Sequence, residues 1–202
     1  STPDTGTSTV DTISTVPVSY KSEECIPGKT GTKQFSATPL KPMPRVFKAF
    51  GVLVIYQSGF KHTGIDIHNE RKNGFEPPIF AVEDGKVLYV GTLYYDNIYH
   101  TIGRGTKAII IHHPCLGEVY STYSHNSYVE PWIIEQIKEK GYAYVRAGEI
   151  IGRQGNEGFS FGSHLHFEVL TNTRFTGNWV KPWTKENYED PEKWLPAKGV
   201  II

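Results

Sequence analysis

Net charge is absent: Lys plus Arg and Asp plus Glu each total 21, so the formal charge is zero. A duplex nucleic-acid binder needs a basic face to displace phosphate counterions, and a polybasic membrane-surface protein needs the same excess. Neither class is expected. Cysteine is scarce. Cys25 and Cys115 are the only two and no C-x-x-C occurs, which excludes a zinc ribbon. In an exported protein the two would pair; separate free thiols fit the sequence equally well. No apolar run approaches the roughly 20 residues of a membrane-spanning helix. The chain opens on Ser1, not Met, as expected of a processed or trimmed product. Any signal peptide or membrane anchor would then lie upstream of Ser1.

What is present points to β-structure. Tyr 12, Phe 10, Gly 20 and Pro 13 in 202 residues describe many short strands and many turns, in one sizeable domain. Residues 1–20 are rich in Ser, Thr, Pro and Asp without periodicity and read as a flexible tether. Residues 21–44, with Pro27, Gly28, Gly31, Pro39, Pro42 and Pro44, read as an extended arm lying on the domain. The folded body is expected over 45–202. Strands are predicted for Phe47 to Tyr56, for a hairpin over Pro78 to Val90 turning at Glu83-Asp84-Gly85, and for Lys107 to Ile111, whose apolar run suits burial on both faces. Further strands are predicted for Glu118 to His125, Arg146 to Gln154 and Ser163 to Leu170. Pro131 to Lys140 reads as a short helix: proline opens it, Trp132, Ile133, Ile134 and Ile137 fall at helical spacing, and Gly141 closes it. The segment from Thr171, with Trp179, Trp183 and Trp194, is expected to wrap the sheet.

Two motifs carry chemistry. In His62-Thr63-Gly64-Ile65-Asp66 the even separation of His62 and Asp66 puts both on one strand face, with Ile65 and Ile67 directed to the core. In His164-Leu165-His166 both imidazoles share a face with Glu168, while Leu165, Phe167 and Val169 form an apolar back. Two neutral imidazoles and a carboxylate are a good donor set for zinc, and three protein ligands leave a fourth position open, as catalytic sites require. Strand alternation alone does not choose between His164 and His166 as the second imidazole.

These residues resemble the lysostaphin/LytM-type zinc metallopeptidases. The family's H-x-x-x-D is matched by His62 and Asp66, its Y-x-H by Tyr123-Ser124-His125, and its H-x-H by Gly162-Ser163-His164-Leu165-His166-Phe167-Glu168. Phe50-Gly51, Ala81 to Val87, Ala147 to Gly152, Gly155-Asn156 and Asp190-Pro191 match accessory motifs in the family's order. The resemblance implies a mainly β fold: an antiparallel sheet core with a substrate groove walled by loops, and one short helix in an insertion. It implies His62, Asp66 and His166 as ligands of a single Zn2+ per chain, with His125 and His164 as catalytic histidines. It further implies an endopeptidase hydrolysing peptide bonds in bacterial peptidoglycan stems or cross-bridges, outside the cytoplasm, by attack of a metal-activated water. The alternative is a non-catalytic or latent cell-wall-binding or partner-activating module on the same fold. Gly91 to Thr106 and Asn126 to Tyr144 are longer than the family's usual connections and leave the cleaved bond open, D-Ala-to-diaminopimelate links and glycine bridges alike.

The other histidines weigh less. His68 shares the parity of Asp66 and is expected at the surface or behind a ligand. His112 and His113 precede Pro114 and are expected at a turn or the surface, and His100 in a polar loop. Glu168 is placed to bond a histidine nitrogen, since metal-binding imidazoles usually have an outer partner.

Overall fold

Apolar β-branched and aromatic runs, broken by Gly and Pro, fold into short strands laid side by side. The computed structural model describes residues 34–54, 61–93, 106–171 and 187–196. Its strands are β1 (Val46–Lys48), β2 (Ile65–Ile67), β3 (Pro78–Phe80), β4 (Gly85–Leu93), β5 (Thr106–His112), β6 (Val119–Ser124), β7 (Tyr128–Val129), β8 (Ala143–Val145), β9 (Ile150–Arg153), β10 (Leu165–Thr171) and β11 (Tyr188–Glu189). The large sheet runs β1-β2-β10-β6-β5-β4-β8, with β11 also paired to β10, and β3-β9-β7 form a smaller one. Every pairing between these strands is antiparallel. The fold is thus the mainly β, antiparallel architecture expected.

Alternation along β10 organises the core. Leu165, Phe167 and Val169 are fully buried and join Ile65, Ile67 and Tyr123 in the main cluster. Strand β5 is buried on both faces as predicted: Ile109 and Ile111 enter that cluster, while Ala108 and Ile110 enter a second one with Leu93, Tyr120 and Leu170. From the 21–44 arm, Phe35 and Leu40 are buried in the main cluster, and the Phe35 ring packs edge-on to Phe167 with centroids 6.4 Å apart. This segment therefore lies on the apolar back of β10, behind the histidine face.

The helix α1 (Pro131–Lys140) forms where predicted. Pro131 loses no hydrogen bond in the first turn, and Gly141 ends the helix at φ 81°, donating its N–H to the Ile137 carbonyl. Other expectations are corrected. Pro78 to Val90 is no hairpin: β3 pairs with β9 and β4 with β5 and β8, in different sheets. The turn is tied outward, because Ser36 N–H and Oγ donate to the Glu83 carboxylate and Ala147 N–H donates to Asp84 Oδ1. The strand predicted from Phe47 stops at Lys48, before a left-handed turn at Gly51 (φ 76°). Arg146 to Gln154 is strand only from Ile150, since Gly148 (φ 80°) turns the chain first. Cys115 is disulfide-bonded. Cys25, the tether, His100, the tyrosines of 94–99, Trp179 and Trp183 lie outside the described residues. Among the described residues no helix is long and apolar enough to cross a membrane.

Candidate metal centre

Register brings the two motifs together. Strand β10 pairs with β2 so that His166 stands opposite Asp66, and with β6 so that His166 stands opposite Ser124, the neighbour of His125. Gly64 permits the approach: a Cβ there would meet the Phe167 carbonyl oxygen at 2.3 Å and Glu168 Cγ at 2.9 Å. His62, just before β2, is folded back by backbone bonds to Gly51 and Val52.

The donor atoms of His62, Asp66 and His166, all buried, lie within 4.8 Å of one another. His166 Nδ1 is 2.8 Å and His62 Nε2 3.1 Å from Asp66 Oδ1, and the two nitrogens are 3.1 Å apart. Each ring is held from behind. His62 Nδ1–H donates to the Ala49 carbonyl at 3.0 Å, and His166 Nε2–H donates to Glu168 Oε1 at 3.0 Å. The nitrogens that face Asp66 therefore carry lone pairs when the rings are neutral. Glu168 Oε1 is steadied by the Thr63 hydroxyl at 2.6 Å. Two imidazole nitrogens and a carboxylate oxygen in one pocket, each imidazole with an outer acceptor, fit a divalent transition metal. The charges of these groups depend on one another. Burial works against charge on Asp66, yet His166 and His62 hold its carboxyl far below the usual range. Burial likewise opposes charge on His166, but Asp66 and Glu168 outweigh it and push that ring up to about 10.

His125 and His164 complete the group. The predicted strand 118–125 ends at Ser124, because His125 adopts φ 69°, the left-handed region that costs a side-chain-bearing residue energy. That bend brings its ring to 4.5 Å from the His164 ring and 6.1 Å from that of His166. His164, just before β10, has Nε2 at 3.6 Å from Asp66 Oδ1. One loop fixes both tautomers: His125 Nδ1–H donates to the Glu157 carbonyl and His164 Nδ1–H to the Gly162 carbonyl, each at 2.8 Å. Ser160 Oγ also contacts His164 Nδ1, at 3.1 Å. Burial, then the neighbouring histidines, lowers His125 to about 3. Burial lowers His164 also. Both rings are neutral near pH 7, with a bare Nε2.

Among the described residues, the other histidines separate from this group. His68 lies behind it, its Nδ1 accepting from Gln154 Nε2 at 3.0 Å. His112 stacks on Tyr120. His113, expected at a turn or the surface, is fully buried instead, with Nδ1 at 3.0 Å from the Asp84 carbonyl and Nε2 at 2.8 Å from Ser121 Oγ. Both partners lie outside the Pro114 turn, Asp84 being 29 residues away and Ser121 on the next strand, so the local pattern gave no sign of them. Lys48 was also missed: its Nζ stands 4.0 Å from Asp66 Oδ2. Nothing in the sequence around it marks that placement.

Known proteins resemble this chain in sequence and in fold. Glycyl-glycine endopeptidase ALE-1 of Staphylococcus capitis is 27% identical over 142 residues, covering 70% of this chain and 31% of the relative. Lysostaphin of Staphylococcus simulans is 25% identical over 142 residues, covering 70% of this chain and 23% of the relative. The chain thus spans less than a third of the length of these curated relatives. The solved catalytic domain of lysostaphin from Staphylococcus simulans shares the fold, with a TM-score of 0.54 at 24% identity over 79% of this chain and 96% of that one. A sequence profile of peptidase family M23 matches residues 60–182, a stretch that holds His62, Asp66, His125, His164 and His166. The chain belongs to peptidase family M23.

Proposed function

We propose that the chain is a zinc-dependent endopeptidase that hydrolyses peptide bonds in the stems or cross-bridges of bacterial peptidoglycan. The observation that supports this most is the convergence of three buried donor atoms with two further histidine rings, His164 with Nε2 3.6 Å from Asp66 Oδ1 and His125 with its ring 4.5 Å from that of His164. His62 through Nε2, Asp66 through its carboxylate and His166 through Nδ1 would hold the metal. Bound there, zinc supplies Lewis acidity, acidifying water and polarising a carbonyl.

The chain's own residues do the rest. His125 and His164, kept neutral by burial, accept the proton that water loses as its oxygen bonds to the scissile carbonyl carbon. As the C–N bond breaks, the pair returns that proton to the departing amine. A ring protonated in between donates to the oxygen that carries the developing negative charge. The loop carbonyls of Glu157 and Gly162 keep each Nδ1 out of the reaction, so each Nε2 does the transfer. The apolar back of β10 anchors the histidine face in the main cluster. The Cys115 disulfide suits an oxidising compartment, so we place the protein outside the cytoplasm.

The test is digestion of peptidoglycans of several cross-bridge types, with fragments identified by mass spectrometry and a chelated sample alongside. Cleavage that stops on chelation and returns with zinc is the expected result, and the new chain ends name the bond. Zinc-loaded protein that cuts no wall polymer overturns the reading.

A further inference from the structure

Strand β1 departs from regular pairing beside the metal centre. Val46 pairs with Ile67 and Lys48 with Asp66, so two steps along β1 match one step along β2. That is a β-bulge, a device that re-aims side chains next to functional sites. In a regular strand Phe47 and Lys48 would point to opposite faces. Here both reach the centre. The Phe47 ring meets the His164 ring edge-on, with centroids 5.7 Å apart, and Lys48 Nζ stands 4.0 Å from Asp66 Oδ2. Phe47 nevertheless remains 60% exposed, a large apolar ring left uncovered beside a catalytic histidine. Lys48 keeps 36% of its side chain in solvent. At 4.0 Å it makes no hydrogen bond to Asp66, and a pair this open contributes little to stability. A metal on Asp66 would set a dication beside the ammonium, which then has more to gain from an anion brought by a ligand. Among the described residues, Lys48 is the lysine or arginine that stands at the ligand carboxylate.

We propose that the bulge in β1 builds a substrate subsite in which Lys48 pairs with a free carboxylate on the residue flanking the scissile bond, and Phe47 covers that residue's apolar part. This rests on the endopeptidase reading and narrows its substrate class. Links bordered by a free carboxylate are preferred over uncharged, all-glycine bridges.

The experiment uses two synthetic peptides with the same scissile bond, one flanked by a carboxylate and the other by its carboxamide. Their binding to the zinc-loaded chain is measured by calorimetry and their cleavage by chromatography. The carboxylate peptide should bind up to about fivefold tighter, the upper scale of a partly exposed ion pair. Lys48→Gln should abolish that preference, Lys48→Arg should keep it, and Lys48→Glu should reverse it, with zinc content unchanged in all three. Phe47→Ala should weaken both peptides alike. Equal binding of the two peptides by the unaltered chain overturns the subsite, as does a Lys48→Gln protein that keeps the preference. Because binding is read apart from cleavage, a preference in binding supports the subsite even if neither peptide is cut, an outcome that would count against the endopeptidase reading alone.

Discussion

Glu168 offers a sharp test of how the proposed metal centre is held. Its carboxylate is fully buried, and Oε1 accepts from His166 Nε2 at 3.0 Å and from the Thr63 hydroxyl at 2.6 Å. Oε2 is buried and has no hydrogen-bond partner among the described residues. The carboxylate orients His166 and keeps its Nδ1 an electron-rich donor. Glu168→Gln preserves the volume and removes the charge. Loss of an outer partner of this kind weakens metal binding by about 10- to 100-fold, or roughly 1.4 to 2.7 kcal/mol. Thr63→Val, which removes only the hydroxyl that steadies Oε1, should have a smaller effect in the same direction. Glu83→Gln is the control. That carboxylate is also buried, but it bonds Ser36 and the Asp84 N–H, away from the centre. It should lower thermal stability and leave zinc affinity intact. The assay is competition for zinc against a chelating dye, with thermal denaturation run in parallel. A Glu168→Gln protein that binds zinc as tightly as the unaltered chain, or a Glu83→Gln protein weakened as much, would refute the reasoning.

His113 makes stability depend on pH. Burial lowers its folded value to about 4 from the ordinary 6.5, so the folded protein keeps it neutral while the unfolded chain takes up a proton. Its contribution is therefore complete above about 6.5 and is lost as pH falls toward about 4, amounting to roughly 3 kcal/mol. Urea unfolding at pH 7 and at pH 4 should show this loss, and His113→Gln, weaker at neutral pH, should lose less over the same interval; equal losses would remove His113 as the cause. Gly64→Ala forces a methyl group against the Phe167 carbonyl and should separate β2 from β10, lowering both melting temperature and zinc affinity, and an unaltered zinc titration would contradict that.

The centre was legible where its logic is local. The spacing of His62 and Asp66, and the alternation of His164, His166 and Glu168 against Leu165, Phe167 and Val169, follow from strand geometry, and the structure brings all five polar groups together. The helix was legible because Pro131 and Gly141 mark both ends. What was hidden depends on contacts distant in sequence. The Glu83-Asp84-Gly85 turn looks like a hairpin until Ser36 and Ala147 tie it outward, sending β3 and β4 to different sheets. His113 looked like a turn residue because Ser121 and the Asp84 carbonyl, which bury it, lie in other segments. Lys48 reaches Asp66 only through a bulge, and one extra residue in a strand register leaves no mark on a hydrophobic pattern.

The central claim is that His62, Asp66 and His166 hold the metal while His125 and His164 move the proton. Measuring zinc content and peptidoglycan cleavage together, on the unaltered chain and on Asp66→Ala and His125→Ala, tests it most directly. The account predicts that the unaltered chain binds zinc and cleaves, Asp66→Ala does neither, and His125→Ala keeps its zinc yet no longer cleaves. Hydrolysis retained by Asp66→Ala protein freed of contaminating enzymes would contradict it.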